Sequence, residues 1–350
     1  GSEMCIRDRA GISVDDFHDF ARTLGEKFPT TMTTLSTHDT KRSTDVRARL
    51  ASLTEFPQHW DQTITALETA TASQRSELLD GATINLLWQT LAGTWRLPGT
   101  AAGATPISDD RLITYLTKAV REAKSHTTWT DPDVDYESAL LDLATFCLND
   151  DSVANALDSF TETTSTAVRA AILGRALVQL TMPGVPDTYQ GCELVDLSLV
   201  DPDNRRPVDH ERSHRLLQTL ESKDLDAIAD DDRLDAEKLL VVHRALDVRR
   251  RHTDAFRGDH ASYRPVATTT GHAVAFARGI DDEPPTAITV ATRLAGALEG
   301  RGGWADHQVV LPEGTFTDAI TGKTRHGGAV KFADLLDDMP AALLVNEDRR

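Results

Sequence analysis

Apolar positions in residues 13–27, SVDDFHDFARTLGEK, recur at helical spacing: Phe17, Phe20, Ala21 and Leu24 make one stripe. Ser13 stands where a cap is wanted, and Asp15 and Asp16 suit the positive end of the predicted helix. Pro29 stops it. The run TTMTTLS at 30–36 predicts a short buried strand, because β-branched residues fit a pleated surface. A polar string follows, Thr37-His38-Asp39-Thr40-Lys41-Arg42. Helical spacing then resumes in STDVRARLASL (43–53), with Val46, Leu50 and Leu53 on one face. Helix, strand, polar loop, helix is the rhythm of an α/β fold with parallel strands.

From about 54 to 180 the pattern is almost entirely helical, with 3.6-period apolar positions in 80–95, 109–125, 136–148 and 165–181. The α/β rhythm returns at MPGVPDTYQGCEL (182–194), a short strand and loop bounded by Pro and Gly. The polar loop VDPDNRRPVD (200–209) comes next. Residues 230–252 predict a capped helix with Leu239, Leu240, His243 and Leu246 inward. Beyond Gly258, short β-type runs with Gly and Pro breaks (ASYRPV, HAVAFAR, TAITVAT, HQVVLP, GTFTDAI, GAVKF, AALLVN) predict a terminal antiparallel β domain.

The 350 residues suffice for one large domain or two ordinary ones, and 40% hydrophobic content supports a real core. No window approaches the ~18 apolar residues of a membrane span, and no export signal is evident, which points to the cytoplasm and away from membranes. A net charge of −18 without a basic stripe argues against nucleic acid, whose phosphates need clustered Lys and Arg. Three scattered cysteines, Cys5, Cys147 and Cys192, make neither a disulfide framework nor a zinc site. The sequence has no Gly-rich phosphate loop, serine nucleophile elbow or Walker pattern, so no cofactor and no metal is expected. Oligomeric state is not legible.

Three strings hold candidate chemistry. In STHDTKR, polar side chains at a strand's C-terminal end point to a ligand face, where Asp39 and His38 can hold sugar hydroxyls. The same residues read equally as a capping cluster, with Thr40, Ser43 and Asp45 satisfying helix amides. In KAVREAKSHTTW (118–129), Lys118, Arg121, Glu122 and Ser125 share adjoining parts of one helix surface, the pattern of a solvated face, while Lys124 and Trp129 stand at the helix end. In YQGCEL and DPDNRRP (189–207), turn chemistry dominates, and the paired Arg205 and Arg206 read as holders of carboxylates.

Taken together, TMTTLSTHDTKRSTDVRARL, KAVREAKSHTTWTDPDVDYE and MPGVPDTYQGCELVDLSLVDPDNRRPVD resemble, in order, strings of the α-amylase superfamily, and within it the malto-oligosyltrehalose synthases. The resemblance covers nearly all of 10–350 and includes LPEGTFTDAITG and the final MPAALL. It implies a partial (β/α)8 barrel with a C-terminal β-sandwich: 10–53 around strand seven, 54–180 a helical insertion, 181–257 around strand eight, and 258–350 the β domain. It also implies a maltodextrin substrate, whose reducing-end α-1,4 link becomes an α,α-1,1 link by retaining intramolecular transglucosylation. Asp39 matches the family's third catalytic carboxylate and His38 its substrate-binding histidine, while Lys41 resembles a substrate-contacting lysine. Arg42, Lys124, Trp129, Tyr189 and Arg205 join them as candidate substrate contacts. Another α-glucan enzyme of the superfamily and a non-catalytic glucan-binding module are the competing readings. The family's nucleophile and general acid lie on strands that precede THDTKR, so the chain is expected to be a C-terminal part, inactive alone. Its first nine residues, GSEMCIRDR, resemble a translated sequencing adapter and nothing in the family.

Overall fold

The computed structural model describes residues 11–349, apart from 104, 200, 223 and 224, so the leader 1–9 lies outside the described residues. Among the described residues the longer helices are α1 (Val14–Lys27), α2 (Thr44–Ser52), α3 (Pro57–Thr71), α4 (Gly81–Thr94), α5 (Asp109–Ala123), α6 (Val134–Asn149), α7 (Asp151–Thr181), α8 (His210–Ser222) and α9 (Arg233–Arg251). The strands are β1 (Met32–Thr33), β2 (Val185–Pro186), β3 (Ala261–Pro265), β4 (Ala273–Ile280), β5 (Ala287–Thr292), β6 (Gln308–Asp318), β7 (Thr324–Lys331) and β8 (Ala341–Asn346). Contacts divide the chain into two units, one made of residues up to 35 with 169–189 and 237–350, the other of 36–168 with 190–236.

The first unit holds both sheets. Its small sheet pairs β1 with β2 in parallel, Met32 opposite Val185 and Thr33 opposite Pro186. The amides of Val185 and Asp187 donate to Thr31 O and Thr33 O, each at 2.8 Å. Gln179 on α7 adds bonds to Thr33 O (3.1 Å) and Asp187 O (2.8 Å), tying the pair to the helix before it. Gly184 enters β2 at φ +110°, and a Cβ there would stand 2.8 Å from the Thr33 methyl and 3.0 Å from Thr31 O, so the approach requires glycine. The run 30–36 was expected to be buried, but only 32–33 is strand and Met32 is 71% exposed. A strand with one neighbour has one covered edge, and its sequence bias cannot supply the other.

The large sheet is antiparallel with order β3-β4-β5-β8-β6-β7. It is one sheet, where a sandwich would have two. It curls, because residues just past β3 also pair with β6: Val310 N–H donates to Ala267 O (2.9 Å) and Thr269 N–H to Gln308 O (3.0 Å). Inside lie Val290, Val309, Leu311, Phe316, Phe332 and Leu344, all buried. A curled sheet thus does the work of two facing ones, with alternate residues of its strands filling the interior.

The second unit is helical. Leu67, Leu87, Trp88, Leu91, Leu112, Leu116, Leu140 and Cys147 form its core. The helical reading of 54–180 holds, with α3 added and 165–181 forming the second half of the 31-residue α7. In α9, whose residues from 237 on belong to the first unit, Leu239 and Leu240 are buried as expected, His243 is half-buried and Leu246 is exposed. Residues 234–242 are all buried, so the first half of the helix is covered on every face and carries no single stripe. Among the described residues no helix is long and apolar enough to cross a membrane.

Candidate functional site

The string THDTKR forms a single 3-10 turn over His38–Thr40 in the helical unit. Thr40 closes it twice: its N–H donates to Thr37 O (3.1 Å), and its hydroxyl donates to the same oxygen (2.8 Å). Lys41 then takes φ +60°, a left-handed conformation that costs a non-glycine residue on the order of 1 kcal/mol and needs compensation from its surroundings. That compensation is visible in the next residues. Arg42 forms an isolated antiparallel bridge with Leu199, and its guanidinium donates to the Thr90 hydroxyl on α4 at 3.2 Å. Ser43 donates its amide to Ser198 O (3.0 Å) and its hydroxyl to Asp196 O (2.7 Å). Asp45, fully buried, accepts the Asp196 amide at 2.7 Å.

Lys41 reaches away from this backbone anchor to α5, where its ammonium donates to Glu122. Glu122 also faces Lys118, one helical turn back, at 4.0 Å. Lys118 donates to Asp201 O at 2.7 Å and lies 3.5 Å from the Asp201 carboxylate, which Arg205 holds from its other side at 2.6 Å. Five side chains from three distant strings thus alternate in charge: Lys41, Glu122, Lys118, Asp201, Arg205. Beside them Arg111 clamps Asp203 with two bonds, 2.6 and 2.8 Å, while Leu199 N–H adds a third at 2.8 Å. Burial pushes the Asp203 carboxyl up, but the Arg111 bonds and charge, with Leu199 and Arg206, overcome it and hold the carboxyl below its ordinary range.

The polar face of α5 is therefore a half-buried pairing surface rather than the solvated face its pattern suggested. Arg121 makes two bonds to Glu137, 2.8 and 2.7 Å, and Thr127 adds another at 2.5 Å. Those bonds, Arg121 foremost, hold the Glu137 carboxyl low. The Arg121 guanidinium also lies 5.0 Å from the centre of the Trp129 ring, which leaves Trp129 55% exposed on a fixed support. Lys124 ends α5 in a left-handed cap and is exposed.

Asp39 is exposed, and among the described residues no side chain pairs with its carboxylate. The His38 side chain lies outside the described residues. Tyr189 is exposed in the sheet-bearing unit, two residues past the Asp187 amide that closes the β1–β2 pair. Lys41 and Arg205 join one ion-pair line, with Arg42 anchored next to it, Lys124 at the end of α5 and Trp129 in the loop beyond, against Arg121 of α5. Glu122, Lys118 and Asp201 were not singled out by the sequence as site residues. The i,i+4 spacing of Lys118 and Glu122 was a signal, but their partners are more than 75 residues away along the chain. Among the described residues no group of three or more His, Cys, Asp or Glu could hold a metal ion.

A search against models of protein families finds no match. The chain is similar to a putative maltooligosyl trehalose synthase of Mycobacterium tuberculosis (strain CDC 1551 / Oshkosh), 37% identical over 347 residues. Among solved structures it is similar to the maltooligosyltrehalose synthase of Arthrobacter ramosus, at 37% identity and TM-score 0.82 over 96% of this chain and 41% of that one. It is also similar to a hypothetical maltooligosyl trehalose synthase of Sulfolobus tokodaii, at 26% identity and TM-score 0.73, again over 96% and 41%. The chain is thus homologous to the maltooligosyl trehalose synthases through 97% of its own length, and it spans 41% of the length of the curated relative it matches.

Proposed function

We propose that this chain contributes to a maltooligosyl trehalose synthase reaction, the conversion of a maltodextrin's reducing-end α-1,4 link to an α,α-1,1 link. The observation that carries the proposal is the ion-pair line that joins the three resembling strings, beside an exposed Asp39 whose carboxylate pairs with no side chain among the described residues. An exposed carboxylate on a turn whose following residues are anchored is placed to accept ring hydroxyls. Such bonds accelerate the reaction when they tighten in the oxocarbenium-like transition state. Asp39 is assigned that role, His38 a hydroxyl contact, and Lys41, Arg42, Lys124, Trp129, Tyr189 and Arg205 substrate contacts.

The parallel β1 and β2 are read as neighbouring strands, seven and eight, of a (β/α)8 barrel, with the helical stretch between them as an insertion. Retention of configuration requires a nucleophile and an acid/base carboxylate about 5–5.5 Å apart. No such pair is assigned here, and the chain by itself is proposed to be inactive.

The test is incubation with maltopentaose, following loss of reducing ends. The expected result is none for this chain alone, and conversion when the remaining part of a relative's polypeptide is supplied. With that part present, Asp39→Asn is expected to lose at least ~10²-fold in rate, the scale of one transition-state contact. Conversion by the chain alone would overturn the assignment of the missing carboxylates, and full activity of Asp39→Asn would remove Asp39 from the site.

A further inference from the structure

We propose that Glu122 is a positioning residue: by holding the Lys41 ammonium, it sets the geometry of the turn that carries Asp39. This rests on the substrate reading above for its consequence, but not for its structural claim.

The argument begins with the backbone. Lys41 occupies φ +60°, which side chains other than glycine rarely adopt without outside support. The 3-10 turn before it is closed by its own threonines, Thr37 and Thr40, and the Thr40 hydroxyl also donates to Arg42 O (3.0 Å). Restraint from outside the turn comes before it at Ser36, whose hydroxyl lies 3.3 Å from that of Thr44, after it at Arg42 and Ser43, and through the Lys41 side chain. Among the described residues that side chain pairs with Glu122, which fixes the direction in which the left-handed residue points. Lys41 and Glu122 are 36% and 30% exposed, so water screens the pair only in part.

Glu122 is itself held. Lys118, four residues back on α5, faces it at 4.0 Å, and Lys118 is anchored by the backbone oxygen of Asp201 at 2.7 Å. A carboxylate between two ammonium groups is oriented without belonging wholly to either. When a sugar hydroxyl draws the Lys41 ammonium outward, Lys118 remains to neutralise Glu122. The arrangement therefore permits Lys41 to leave its partner without stranding a half-buried negative charge. The helical segment that bears α5 thereby acts on the turn through one carboxylate, although that carboxylate touches no substrate in this scheme.

Hydrogen exchange on the whole chain tests the structural claim, using Glu122→Gln, which keeps the shape and removes the charge. The Thr40 and Ser43 amides, bonded to Thr37 O and Ser198 O, are expected to exchange about two- to fivefold faster, the scale of one partly screened ion pair. The core of the helical unit at Leu112 and Leu116 should be unchanged. The reciprocal variant Lys41→Glu with Glu122→Lys should restore slow exchange but not maltoheptaose affinity, measured by calorimetry, because the ammonium then sits on the wrong side. Unchanged exchange in Glu122→Gln would overturn the proposal. So would equal acceleration at Leu112 and Leu116, which marks a general structural role, and so would a reciprocal variant that regains affinity. A wild-type chain that does not bind maltoheptaose would overturn the substrate reading alone, with exchange still deciding the role of Glu122.

Discussion

The two sheets of the first unit are built from similar strand-forming residues and come out opposite. In β5 and β8 every residue is buried, since one side of the curled sheet faces the interior of its own curl and the other is covered as well. In β1 and β2 the paired residues Met32 and Val185 are 71% and 38% exposed. Strand propensity was equal to the task in both places. What differs is the number of neighbours: six antiparallel strands share a core, while the two parallel strands have each other, Gln179 of α7 and, at Gly184 O, Arg249 of α9. Parallel pairs are ordinarily buried on both faces, so the small sheet is the place where this unit depends least on its own core.

That contrast can be broken by mutation. Phe316→Ala in the large sheet should cost about 3–5 kcal/mol, read as a lowered urea midpoint, because its ring is fully buried and leaves a cavity. A loss under ~1 kcal/mol would mean the curled sheet is loosely packed.

Arg278→Met should cost about 2 kcal/mol. The guanidinium donates to Ser262 O (2.9 Å), Thr181 O (3.1 Å) and Phe256 O (3.4 Å), all of which lose a donor, although removing a buried charge offsets part of the loss. Burial already pushes the Arg278 pKa down to about 9, with Arg249 adding to it. Because Arg278 holds the end of α7 against the large sheet, its loss should also speed amide exchange at Val185 in the small one.

A smaller effect should appear with pH. Burial pushes the Asp318 carboxyl up, against the opposing bonds from Thr321, Ile320 and Leu343. An acid with a raised native pKa keeps a proton that the unfolded chain has released. Stability should therefore fall as pH rises from about 4 through the native pKa, then level off. Asp318→Asn should flatten that part of the curve, and a curve that rises through the same range in both proteins would reverse the assignment.

The smallest effect belongs to the small sheet. Met32→Thr should change stability by less than ~0.5 kcal/mol, since the side chain is already in water, yet reduce self-association measured by light scattering. A large loss of stability would show that Met32 is covered in solution.

Much of the fold was legible. The extent of α1, its Ser13 cap with Asp16 reciprocating, and the helical run from α4 to α7 follow from periodicity and capping chemistry, which are local, whereas the expected α1 stripe holds only in part: Ala21 and Leu24 are buried, Phe20 is 58% exposed and His18 is buried instead. The curl of the large sheet was not legible, because it depends on residues 267–269 meeting 308–310. The candidate site divides the same way. Asp39, Lys41 and Arg42 were visible as an unusual polar string, and a resemblance to known strings gave them a chemistry. The surroundings were not visible, because a lysine and a glutamate 81 residues apart carry no mark of their pairing.

The sequence by itself determined most of the helices, the approximate places of the strands, and the relation to the synthases, all properties of local pattern or of matched strings. Tertiary structure decided which charges pair, which strands are covered, and that Asp39 is exposed while Lys41 is held. Those outcomes depend on distances between segments far apart in the chain, and electrostatic and burial energies are fixed by such distances, not by order along the sequence.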